Sequence, residues 1–334
     1  MVKYAIKRIA LAIFILFCVS VLLYFLIRLM PVNYIRDQYI ASHQQADIEN
    51  MEEDLQRILD MYNLGDDSFL GICKGYVRWL FSFIMGDMGK SFKYNQPVED
   101  IIFKNMGVSF VISFISLILQ LIISIPLGIK SACNQYGKLD YTVTVLTMIG
   151  MSFPTFFFGS LVIKLFAVEL RWFPTSGLVT PTLPKDTSFW VRFLDMSWHL
   201  VLPMLVLVIL SIGSLMRYTR TNTLEVLNAD YIRTARAKGL SESKVVYKHV
   251  FRNTLIPLVT TLAGTLPGLF GGAMITETIF DIPGIGSIAY AALREGDIPF
   301  IMGYNMFISI LTVLGILLAD IMYAVVDPRV KLGK

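Results

Sequence analysis

"VSFVISFISLILQLIISIPLGI" (108–129) contains no Asp, Glu, Lys or Arg. About 20 helical residues cross a hydrocarbon core of about 30 Å, so a run this long and apolar predicts a membrane-spanning helix. The rest of the chain agrees. It is 334 residues long, 55% hydrophobic and 16% charged, with a mean hydropathy of +0.63. Soluble domains carry about 25% charged residues. Working outward from 108–129, similar runs lie at about 9–27, 141–170, 200–216, 255–280 and 300–326. The expectation is an all-α polytopic membrane protein with about six transmembrane helices. Pro126, Pro154, Pro203 and Pro267 lie in or near these runs, where a proline kinks a helix. The first run is too long for a signal-peptide core, and no small-x-small cleavage site follows it, so it reads as a retained anchor.

Lys and Arg in short loops mark the cytoplasmic side. The N-terminus, 130–140, 217–253 and the C-terminus are rich in them. The segment 31–107 instead holds twelve Asp/Glu against seven Lys/Arg. Both termini are therefore expected inside and 31–107 outside. The net charge of +4 is a matter of topology, not a nucleic-acid signature. Three parts follow: 1–30 as cytoplasmic N-terminus and first span, 31–107 as an extracytoplasmic segment, and 108–334 as a transmembrane core whose largest inner loop is 217–253. In the outer segment Ile48, Met51, Leu55, Ile58, Leu59 and Tyr62 follow a helical stripe. "YVRWLFSFIMGDMG" (76–89) suits the membrane interface. Together they predict a helical cap.

The inner loop contains "YIRTARAKGLSESK" (231–244). Leu224, Leu227, Tyr231 and Ala235 share one helical face, and Arg233 and Arg236 another. Gly239 suits a helix stop that needs positive φ. Ser241 then caps a second helix, with Glu242 near its positive end. Lys244, Lys248 and Arg252 form a basic stripe, with Val246 and Val250 beside it. A loop that only fixed topology would need the charge but not this periodicity. Small residues at Ala235, Ala237 and Gly239 permit close approach by a partner. The hairpin thus reads as a docking element.

"YIRTARAKGLSESKVVYKHVFRNTLIPLV" (231–259) resembles the cytoplasmic coupling loop of permease subunits in bacterial ATP-binding-cassette importers, most of all the oligopeptide and dipeptide branch. The general pattern begins Glu-Ala-Ala. Here Arg233-Thr234-Ala235 stands in its place, then Gly239, and Pro257 comes late, as suits the peptide branch. "GDMGKSF" (86–92), "LDYTVTVLTMIGMSFPTFFFG" (139–159), "ETIFDIPGIGSIAYAAL" (277–293) and "DIMYAVVDPRVK" (320–331) resemble other segments of the same family. The likeness is weak at 31–75. It implies that Tyr231, Arg233, Thr234, Ala235, Arg236, Ala237, Lys238, Gly239, Leu240 and Ser241 contact an ATPase. It further implies a second homologous permease, two cytoplasmic ATPase subunits that carry ATP and Mg, an extracytoplasmic peptide-binding protein, and a plasma-membrane location among lipid. No cofactor and no catalysis are expected on this chain.

"GDMGKS" is not a phosphate loop, because Ile84 stands where the first glycine of that motif belongs. Gly264, Gly268 and Gly272 have the spacing of close helix packing, within this chain or against a second permease. Glu277, Asp320 and Lys164 are ionisable groups in or near spans, functional candidates by default. The bland alternatives are interfacial bonding for the two acids and snorkelling for Lys164, which would otherwise meet a peptide carboxylate. His43, His199 and His249 have no metal-ligand spacing. An ion-coupled transporter would need a central carboxylate and internal repeats, and neither stands out. A membrane scaffold would leave the Pro-Gly-x-Gly and Asp-Pro-Arg segments unexplained. Within the family, nickel complexes and glutathione are alternative cargoes to peptides.

Overall fold

A computed structural model describes residues 2–29, 56, 60, 66, 68–184 and 186–326. The expected helix over 48–62 and the Asp-Pro-Arg ending lie outside the described residues. Within them, regular structure is helical apart from an isolated bridge between Lys90 and Pro97.

The first helix, α1 (Val2–Arg28), packs at its far end against α2 (Phe69–Ile84). Tyr24 and Ile27 join Trp79, Phe92, Ile298 and Met302 in one buried cluster. The opposite face of α2, with Phe69, Val77, Phe81 and Ile84, is exposed, as an interfacial helix would be. Next comes α3 (Val98–Cys133), which carries the run at 108–129. Its 36 residues extend about 54 Å at 1.5 Å each, longer than the hydrocarbon core.

The third expected span is two helices, α4 (Lys138–Ser152) and α5 (Thr155–Val162), the second running on as a π-helix over Ile163–Glu169. They meet at 101°. The cause is Pro154, which disfavours helical backbone at the residue before it. Phe153 is accordingly extended, at φ −81° and ψ 131°.

The longest helix, α6 (Phe189–Leu227), is the core of the bundle: 44% of its most apolar window is buried, against 11% for α1. It lies along α3 with almost no space between the backbones. A Cβ on Gly128 would sit 2.8 Å from the Met216 carbonyl oxygen, and Ser124 Oγ donates to the Ile212 carbonyl at 3.2 Å. Small side chains are what allow such approach.

After α6 come two short helices, α7 (Asp230–Ala237) and α8 (Glu242–Lys244), α8 running on as a π-helix over Val245–Val250. Four more follow: α9 (Phe251–Ala263), α10 (Leu266–Gly271), α11 (Met274–Ile279) and α12 (Ile285–Glu295). The last is α13 (Ile298–Val326).

The fifth expected span, 255–280, is a correction. It is not one helix but α9, α10 and α11, of 13, 6 and 6 residues. Gly264-Thr265 makes a turn before Pro267, and Gly272 leaves the helical region at φ +79°. Four described helices therefore have the length and apolarity of a span, or five with the bent pair counted as one. The broken segment still carries the chain from one end of α3 to the other. Arg220 near the end of α6 bonds Asp140 beside the Ser131 end of α3, whereas Phe300 at the start of α13 clusters with Val98 at the α3 N-terminus.

Candidate functional site

The hairpin of α7 and α8 is a formed unit with its own small core. Ile232 and Ala235 of α7 bury against Val245 and Val250, flanked by Val226, Leu227 and Leu240. Two details differ from the sequence reading. Tyr231 is 48% exposed, and Ile232 takes the inward place beside Ala235. The break at Asn228-Ala229 resets the helical phase, so the stripe begun at Leu224 does not run through it. Likewise Val245, not Val246, pairs with Val250, because the π-helical turn brings residues five apart into line.

The first helix stops in a Schellman motif: Gly239 N–H donates to the Arg236 carbonyl at 2.9 Å and Leu240 N–H to the Ala235 carbonyl at 3.4 Å. Gly239 takes φ +74°, and a Cβ there would meet nothing within 4 Å. Only its backbone conformation demands glycine. Ser241 occupies the N-cap position, but its side chain makes no capping bond. Glu242 turns instead to Arg236, which donates through Nη2 at 2.6 Å and Nε at 3.2 Å. That guanidinium holds the Glu242 carboxyl below its usual range. The fork staples the two helices.

Ala235 is thus consumed internally and is unavailable to a partner. The outward surface comprises Tyr231, Arg233, Thr234, Arg236, Ala237, Lys238, Gly239 and Ser241, with Leu240 half-buried beneath. Lys244, Lys248 and Arg252 are all exposed, and Arg233 lies 3.6 Å from Asp230.

The glycine series of the fifth span divides. Gly264 and Gly268 are exposed, and a Cβ on Gly268 would touch nothing within 4 Å, so Gly268 packs closely against nothing inside the described chain. Gly272 does. A Cβ there would meet Gly286 N at 2.6 Å and Glu277 Oε1 at 2.8 Å. Glu277 is fully buried. Its Oε1 accepts from Ala273 N–H at 2.8 Å and its Oε2 from Ser287 N–H at 3.0 Å. Added Cβ atoms at Gly284 and Gly286 would run into the same carboxylate. Glu277 is therefore the staple of the Pro-Gly-x-Gly loop, which Ser109 Oγ also holds by accepting from Ile285 N–H at 2.9 Å. Among the other candidates, Asp320 pairs with Arg8 at 2.9 Å. Lys164 is largely exposed, 3.9 Å from Glu169.

Sequence reasoning missed a second carboxylate, Asp297. It accepts from Phe92 N–H at 3.0 Å, Lys93 N–H at 3.2 Å and Phe300 N–H at 3.2 Å, and from Ser91 Oγ. This clasps the "GDMGKSF" loop onto the start of α13. It also missed Asp140 and Arg220, which form a bidentate pair between α4 and α6. In sequence these acids have no periodic or spaced partner, which is why nothing singled them out.

Residues 124–332 match the family model of the binding-protein-dependent transport system inner membrane component. The chain is 36% identical over 332 residues to the oligopeptide transport system permease protein AppB of Bacillus subtilis, covering 99% of this chain and 100% of that one. It is 31% identical to the dipeptide transport system permease protein DppB of the same organism, over 100% and 99% of the two chains. It is 35% identical to a putative peptide permease protein of Brucella suis, over 99% of each. The chain belongs to this family. It is a multi-pass permease component of an ATP-binding-cassette importer, a transport subunit and not an enzyme. The family match takes in the hairpin, Glu277 and Asp297, while the loop at 86–97 lies before it.

Proposed function

We propose that this permease forms half of a peptide translocation path, and that the hairpin at 230–250 seats on a separate cytoplasmic ATPase. The observation that carries this is the hairpin itself. Its apolar residues are spent on an internal core, its turn is fixed by Gly239 and the Arg236–Glu242 fork, and it presents a charged face beyond the end of α6, whose apolar stretch is the most buried among the described spans. A rigid element of this kind transmits a push without deforming. Peptide cargo is supported by the names of the relatives.

The wider assembly belongs to the same proposal. Residues 1–30 form the cytoplasmic N-terminus and first span, 31–107 the extracytoplasmic segment, and 108–334 the transmembrane core. Both termini are cytoplasmic. A second homologous permease completes the path, with the open glycine surface at Gly264 and Gly268 as a candidate contact. Two ATPase subunits bind ATP and Mg, and a peptide-binding protein docks on the outer side. ATP binding favours the state that the ATPases hold more tightly, which is all that a population shift requires.

The test is uptake of labelled mixed peptides by vesicles that hold the assembled complex. ATP-dependent uptake that survives collapse of ion gradients is expected. Uptake that follows an ion gradient and ignores ATP would contradict the proposal.

A further inference from the structure

Among the described residues, a doubly bonded charge pair joins α4 to α6 beside the hairpin rather than within it. Asp140 is 4% exposed in the first turn of α4. Arg220, roughly two turns before the end of α6, donates Nε to Oδ1 and Nη2 to Oδ2, each at 2.7 Å. Ser131 Oγ of α3 and Tyr136 N–H also donate to the same carboxylate, the latter at 3.0 Å. A buried charge persists where it is paired and its remaining lone pairs are hydrogen-bonded. This pair ties three helices together.

We infer that Asp140 and Arg220 are the positioning residues that pass hairpin movement to the bent third span, an inference that rests on the proposed function above. Three observations carry it. First, α6 leads into the hairpin and α9 leads out. The two arms meet at Thr223 and Thr254, whose hydroxyl oxygens are 3.4 Å apart, one turn below Arg220. Displacement of the hairpin therefore reaches Arg220 through either arm. Second, the fork is planar and doubly bonded, so a small rotation of α6 breaks both bonds together. Third, the pair has somewhere to go. A cavity of about 290 Å³, lined by Tyr136, Tyr141, Thr144, Met216 and Arg217, adjoins it. If Arg220 withdraws, Asp140 keeps the Ser131 and Tyr136 donors. The carboxylate therefore stays bonded when the guanidinium turns away, and the contact can open without stripping Asp140 of its donors. Beyond this joint α4 runs to the 101° bend, where its far end can swing α5.

The experiment compares peptide uptake with ATP hydrolysis in the reconstituted complex for Asp140→Asn, Arg220→Lys and the double variant Asp140→Asn/Arg220→Gln. The double variant leaves no unpaired charge, so it keeps the test open if a single variant fails to accumulate. Uptake per ATP hydrolysed is expected to fall roughly tenfold in each, the size of an ordinary coupling effect, with complex recovery unchanged. An unchanged ratio would overturn the inference. So would a parallel loss of uptake, hydrolysis and complex, which marks a role in stability alone. Wild-type vesicles with no ATP-dependent uptake would instead overturn the transport reading on which the inference rests.

Discussion

At the scale of single residues, two positions act through backbone geometry and buried bonding. Gly239 is glycine for its φ of +74° and not for lack of room. An L-residue in that region costs about 1–2 kcal/mol, and asparagine tolerates it best. Gly239→Val should therefore uncouple uptake from hydrolysis, with membrane insertion intact, and Gly239→Asn should retain most of the coupling. Equal activity in the two variants would contradict this cause. Glu277 is different: its two oxygens each take a backbone N–H in a cradle of three glycines. Glu277→Gln sets an amide donor against one of those N–H groups. A loss of about 1–3 kcal/mol, the cost of an unsatisfied buried group, is expected in thermal unfolding of the detergent-purified chain. The sequence marked Glu277 as a functional candidate because it is ionisable. Its role as a staple depends on a ten-residue closure to Ser287 that no local pattern reveals.

At the scale of elements, the hairpin carries a pH dependence. Arg236 lowers the Glu242 carboxyl below its unfolded value. The staple therefore contributes fully above the ordinary carboxylate range and is lost as pH falls through the lowered value. Both groups are solvent-exposed, so the contribution is small. The protection of the Gly239 and Leu240 amides, measured as exchange relative to the intrinsic rate at each pH, should fall as the sample is acidified through that range, and should not change on raising pH from neutral. Reversal of Lys244, Lys248 and Arg252 to Glu should weaken recovery of the ATPase with the chain; full recovery would remove the basic stripe from the docking surface. Much of this element was legible in sequence, since Gly239 and the basic spacing are local signals. The inward face was not. Two departures from α-helical phase, the break at Asn228-Ala229 and the π-turn at Val245–Val250, moved burial from Tyr231 to Ile232 and from Val246 to Val245.

Across the whole molecule, hydropathy located the apolar segments but not their continuity. Four stood as helices because nothing in them prevents it; Pro126 and Pro203 are absorbed within α3 and α6. The other two broke, one at Pro154 and one at both Gly264-Thr265 and Gly272, and the breaks at Pro154 and Gly272 lie where the bent span and the Glu277 loop sit. The joint at Asp140 and Arg220 spans eighty residues of sequence, beyond the reach of any periodicity argument. The central claim is that the 230–250 hairpin is the seat of a separate ATPase. Its most direct test is recovery of the tagged chain from its native membrane in gentle detergent, alongside Gly239→Val and the basic-stripe reversal. The account predicts that two ATPase polypeptides and a second permease accompany the wild-type chain, and that the reversal loses the ATPases while keeping the permease. Recovery of the chain alone, from a preparation that retains ATP-independent uptake, would contradict it.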